Sequence, residues 1–239
     1  MSSAAFQTFE RFSQSLGQKF EPEVRHHLMR VYLCLGATTA ASAAGAVLFL
    51  TGILDTGILG ALASIVLVLS LHFVKDNGKN FYPRLAMLLG FGLCSGQALG
   101  PLLEYVVHLN PAIIVSALSG TVITFLTLSL AALLAEQGKY IFLGGLLVSV
   151  LNTMALMSIL NIFMRSYIVS QFHLYVGLFA MAAFVLFDTQ MIIEKCRMGN
   201  KDCIQHSLDL FFDLISMFRK LLIILTQKEE RQRQNKRRD

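Results

Sequence analysis

Apolar residues fall into seven long runs divided by short polar punctuation, not into the alternation of a half-buried strand. The runs cover 31–54, 57–74, 85–107, 111–135, 140–163, 172–193 and 204–226. The breaks carry turn or charge signals: Asp55-Thr56-Gly57, Lys75 to Lys79, Asn110-Pro111, Glu136 to Lys139, Arg165-Ser166 and Lys195 to Asp202. Crossing a bilayer takes about 20 apolar residues in a helix. The pattern therefore predicts an all-α membrane protein, a compact bundle of seven hydrophobic helices. The last run differs from the rest because it contains Asp209, Asp213, Arg219 and Lys220. Two forms fit it: a helix shielded at the centre of the bundle, or a re-entrant segment. The lack of a Gly or Pro turn between Ile204 and Thr226 favours the helix.

Composition strengthens the membrane assignment. Charged residues make up 15% of the chain and hydrophobic ones 55%, with a mean hydropathy of +0.61, whereas soluble domains carry about 25% charged residues. In 239 residues the runs leave no room for a separate soluble domain. Three regions follow: 1–30, an amphipathic segment with Phe6, Phe9, Phe12, Leu16 and Phe20 at helical spacing; 31–226, the bundle; and 227–239, a basic tail. No removable signal peptide is visible, so the first run is expected to act as an uncleaved anchor.

Lys and Arg alternate between connections. Arg11, Lys19, Arg25 and Arg30 precede the first run, Lys75, Lys79 and Arg84 follow the second, Lys195, Arg197 and Lys201 follow the sixth, and the first and third connections have none. That alternation places the N-terminus in the cytosol. The basic tail prefers the same side, which conflicts with seven full crossings and leaves the side of the C-terminus open. The net charge of +5 reports membrane orientation and lipid contact, not nucleic-acid binding. Cys34, Cys94, Cys196 and Cys203 sit in runs or in a connection assigned to the cytosol, so they are read as structural and not as a disulfide framework.

The candidate chemistry lies in the last two runs, which place Asp188 and Asp213 among apolar residues. A carboxylate at the centre of a membrane helix costs roughly 2.5 to 3.5 kcal/mol on insertion scales, so such residues face a bundle interior and mark ion or proton pathways. Two carboxylates close together in a low-dielectric bundle are expected to share a proton and titrate as a pair. Calcium, a hard cation, replaces that proton naturally, but it prefers six to eight oxygen ligands. Backbone carbonyls, Thr189, Gln190 and water would have to complete the shell, which suits transient binding in conduction. On the last run His206, Asp213 and Lys220 recur every seven residues, about 20° from eclipsed on a helix, with Asp209 one turn from Asp213. Each of the three residues other than Asp213 has two readings, pore-lining or solvated at the membrane interface. Glu104, near the end of the third run, is either a guard at a pore mouth or a solvated glutamate.

The third and fourth runs carry Gly92-Leu-Cys-Ser-Gly96-Gln-Ala-Leu-Gly100-Pro101, then Asn110-Pro111 and Ser116-Ala-Leu-Ser-Gly120-Thr121. With Leu174-Tyr-Val-Gly-Leu178, Phe187-Asp188-Thr189-Gln190 and Asp209-Leu-Phe-Phe-Asp213, the chain resembles the Bax inhibitor family from about Val31 to its end. This resemblance implies six helices around a central seventh in the endoplasmic reticulum membrane. It also implies a calcium leak governed by an aspartate pair, here Asp188 and Asp213, together with suppression of apoptosis and modulation of the unfolded-protein response. Anti-apoptotic Bcl-family proteins and the stress-sensor kinase of the endoplasmic reticulum are its implied partners. The family's basic latch on the second helix has no clear counterpart, since 57–74 holds only His72. The alternatives are a non-conducting scaffold for cell-death and stress-signalling partners, and an intramembrane aspartyl protease. The protease lacks its Gly-x-Gly-Asp context, because Asp213 follows Phe211-Phe212. No cofactor is expected; calcium is the cargo and protons the regulator.

Overall fold

The computed structural model describes residues 21–54 and 56–236. Among the described residues seven helices follow one another: α1 (Pro22–Leu50), α2 (Gly57–Phe73), α3 (Phe81–Leu109), α4 (Ala112–Leu134), α5 (Leu143–Met164), α6 (Tyr167–Arg197) and α7 (Cys203–Lys236). Five of them, α1 and α3 to α6, are long and apolar enough to cross a membrane. The other two depart from that rule for different reasons. α2 has 17 residues, so it reaches only about 26 Å at 1.5 Å per residue. α7 has 34 residues and is too polar by composition, but it buries Asp213, His206 and Ser207 inside the bundle.

α7 is the central helix. It packs against α1, α3, α4 and α6, while α2 attaches principally to α3 and α5 to α6. It runs without a break from Cys203 to Lys236, so the re-entrant alternative is not formed. Its start is set locally, because the Asp202 carboxylate accepts a bond of 3.1 Å from the Gln205 N–H and satisfies an orphan donor of the first turn. Two expected boundaries move. α1 starts at Pro22, where proline suits the first turn and Glu23 complements the helix dipole, and it buries Val24, His27 and Leu28. Residues from Pro22 onward therefore belong to the bundle, whereas Phe6, Phe9, Phe12, Leu16 and Phe20 lie outside the described residues. At the other end helix continues past Thr226, and the Arg233 guanidinium donates to the Leu109 carbonyl at 2.7 Å. Part of the basic tail is thus docked on the end of α3.

The α3 glycines bring α1 and α3 backbone to backbone. A Cβ on Gly96 would lie 1.8 Å from the Ser42 carbonyl oxygen, and one on Gly92 2.7 Å from that of Thr38. No side chain fits there, which is how small residues permit close approach in membranes. Gly100 faces the Phe49 ring, and Gly120 faces Leu221 of α7. Pro101 lies inside α3 without ending it.

Candidate functional site

α6 and α7 lie side by side and present Asp188 and Asp213 to each other, so that the two carboxyl groups interact directly. Asp213 is only 4% exposed, and its Oδ2 is buried with no hydrogen-bond partner. Asp209, one turn earlier on α7, acts electrostatically on both and accepts a bond of 3.3 Å from the Gln205 amide. The nearby basic groups are Lys195, in the last turn of α6, which acts on Asp188 and Asp209, and His72 at the end of α2, which acts on Asp209. Neither forms an ion pair with them among the described residues. Two carboxyl groups are therefore apposed, with a third acting on them electrostatically from one turn away, against a thin counter-charge in surroundings where a buried charge is expensive.

Thr189 is fully buried beside the pair and groups its hydroxyl with those of Tyr32 and Ser129; each lacks a hydrogen bond of standard geometry. The remaining candidates lie elsewhere. Gln190 is turned away from the aspartates: its carbonyl oxygen accepts from the Tyr140 N–H at 2.9 Å, and its amide donates to the Glu136 and Ala132 carbonyls at 2.9 and 3.2 Å. It staples the α4–α5 connection, with its carbonyl oxygen already accepting one backbone N–H and both of its amide bonds directed to backbone carbonyls. His206 is also engaged elsewhere. Its ring is buried against His27 of α1, with Nδ1 and Nε2 2.9 Å apart, because α1 extends far enough to cover it. Glu104 is exposed near the end of α3, where its backbone carbonyl is bonded by His108. Lys220 lies midway along α7, two turns beyond Asp213 and beside Gly177 of α6. Among the described residues no group of three or more His, Cys, Asp or Glu side chains is set to hold a metal ion.

Sequence reasoning missed the ionic contact of a buried arginine. Arg84, counted above as a loop charge, is 2% exposed and grips Asp202 with two bonds of 2.8 and 2.7 Å. The capping position of Asp202, three residues before Gln205 and ahead of an apolar run, was a legible signal for half of it. The partner 118 residues away was not.

The fold and the aspartate pair define a class: multi-pass helical membrane proteins with paired carboxyl groups between their last two helices. The family described as "Inhibitor of apoptosis-promoting Bax1" matches residues 24–230. Bax inhibitor 1 of Drosophila melanogaster is 63% identical over 230 residues, covering 96% of this chain and 94% of that protein. The Homo sapiens protein of the same name is 41% identical over 216 residues, with 90% and 91% covered, and that of Arabidopsis thaliana 37% over 213 residues, with 87% and 83% covered. The chain belongs to the Bax inhibitor family.

Proposed function

We propose that this protein is a calcium leak of the endoplasmic reticulum membrane, with its N-terminus in the cytosol, whose conduction is controlled by a proton shared between Asp188 and Asp213. The observation that carries this reading is the direct contact of two carboxyl groups on adjacent membrane helices with one oxygen left unpartnered. Like charges in contact hold a proton between them or a cation in its place. Through the leak the protein suppresses apoptosis and tempers the unfolded-protein response; the name of its family supports the first of these. A second reading is a non-conducting scaffold for Bcl-family and stress-sensor partners. It is favoured by the absence of a three-ligand metal group among the described residues.

Full-length protein in liposomes with a trapped calcium dye tests the proposal. Downhill flux is expected from the wild type. Asp213→Asn and Asp188→Asn each lower it and flatten its response to pH, and the double variant is little worse than either, because both disable one unit. Folded single variants with wild-type flux and pH response would refute the switch, and no flux from the wild type would leave the scaffold.

A further inference from the structure

A second polar site lies between α6 and α7, toward the opposite end from Asp202. A cavity of about 420 Å³ is lined there by His173, Ser170 and Gln171 of α6 and by Arg219, Lys220 and Gln227 of α7, with no acidic residue in its wall among the described residues. Lys220 and Arg219 are electrostatic neighbours, and His173 feels Lys220. Gly177 makes room for the lysine, since a Cβ there would lie 2.6 Å from its Nζ. Among the described residues neither Arg219 nor Lys220 takes part in an ion pair or a hydrogen bond, although three other basic side chains pair with acids within 3.0 Å. Cations inside a membrane span pair with one another's opposites or with backbone carbonyls. No countercharge for this pair is present among the described residues.

His173 also lines a neighbouring groove of about 410 Å³ between α5 and α6, whose walls include Leu146, Met154, Phe172 and Val176. A cationic cavity thus adjoins an apolar groove on the outer face of the bundle, where Leu146 and Phe172 are exposed. We infer that these two spaces hold one anionic phospholipid, its phosphate on Arg219, Lys220 and His173 and an acyl chain along the α5–α6 groove. Phosphate suits the arrangement because guanidinium and ammonium donate charge-assisted bonds to its oxygens, while the Gln171 and Gln227 amides, bonded to each other at 2.9 Å, stand at the polar edge. A free phosphate would leave the apolar groove unused. The site is separate from Asp188 and Asp213 and stands whether or not the bundle conducts.

The test uses full-length protein in nanodiscs of phosphatidylcholine with phosphatidylglycerol or phosphatidic acid, read by native mass spectrometry during delipidation. The wild type is expected to retain one anionic lipid about tenfold or more over phosphatidylcholine; Arg219→Gln with Lys220→Gln removes that preference. Lys220→Arg keeps it, as does Arg231→Gln with Arg233→Gln, which removes charge from the last turns only. No preference in the wild type, or full retention by a folded double variant, overturns the inference. If the double variant does not fold, an anionic lipid with a photoreactive headgroup decides on the wild type. Crosslinks confined to 166–177 and 214–227 support the site, and crosslinks confined to other segments overturn it. Millimolar inorganic phosphate that displaces the lipid and occupies the site alone would overturn the assignment to a lipid.

Discussion

Two sets of ionisable groups meet the last helix, and the bundle treats them in opposite ways. Around Asp202, at the start of α7, charges are matched: Arg84 takes both carboxylate oxygens at 2.8 and 2.7 Å, Lys201 meets Glu23 at 2.8 Å, and two rings, His27 and His206, bond each other. Farther along, Asp213 is turned toward Asp188 and Asp209, with one oxygen unpartnered. A matched group costs stability when one member is removed; like groups in contact cost stability by being present. Such an arrangement fits a site kept for what it binds.

The largest expected effect separates the two sets. Asp202→Asn strands the buried Arg84 charge and should destabilise the protein by about 3–5 kcal/mol, as breaking buried pairs does. Asp213→Asn removes a like-charge contact and should be neutral or stabilising. Thermal melts of both variants in detergent check this, and a loss at Asp213 equal to that at Asp202 would erase the contrast. Next in size is His206→Leu, which leaves His27 without its partner and should cost about 1–3 kcal/mol. That places a neutral pair between the two extremes. Replacing the matched ions together, Arg84→Met with Asp202→Leu, should recover most of the loss, since apolar replacement of a buried pair is often neutral. A residue of about 1 kcal/mol should remain because Asp202 also caps α7. Denaturant titration of the double variant beside Asp202→Asn measures that recovery.

The smallest effect concerns Lys201. The Glu23 carboxylate beside it raises the Lys201 ammonium above the ordinary lysine range, but the pair is exposed and screened. A base whose folded value is raised contributes stability that is full below its unfolded value and fades as pH rises through the folded one. Glu23→Gln should therefore differ from the wild type slightly at neutral pH and not at all in strong alkali. A difference that grows with pH would reverse the sign assigned to this contact.

Much of the architecture was legible because membrane insertion writes itself into composition. Every run from 31–54 to 172–193 became a helix, and the turn residues Asn110-Pro111 and Arg165-Ser166 mark real helix ends. Asp188 and Asp213 stood out because carboxylates among apolar residues are rare. The partners of Gln190 and His206 were not legible, for a common reason. Helical spacing gives the face of a residue but not the neighbour it meets, and Gln190 meets the backbone at Ala132 and Glu136 while His206 meets a part of α1 that hydropathy had assigned to a separate segment.

The sequence by itself determined the class, the helices and the identity of the expensive residues, because hydrophobic run length and the cost of a buried charge are local properties of the chain. It also carried the glycines that let α1 and α3 touch, though not the partners that they face. Only the tertiary structure decided which charges are neutralised. Arg84 and Lys220 are both basic residues in or beside apolar runs, yet Arg84 finds Asp202 across 118 residues and Lys220 finds a cavity without an acid. Coulombic pairing depends on separations of a few ångströms, and those separations are set by which helices pack together.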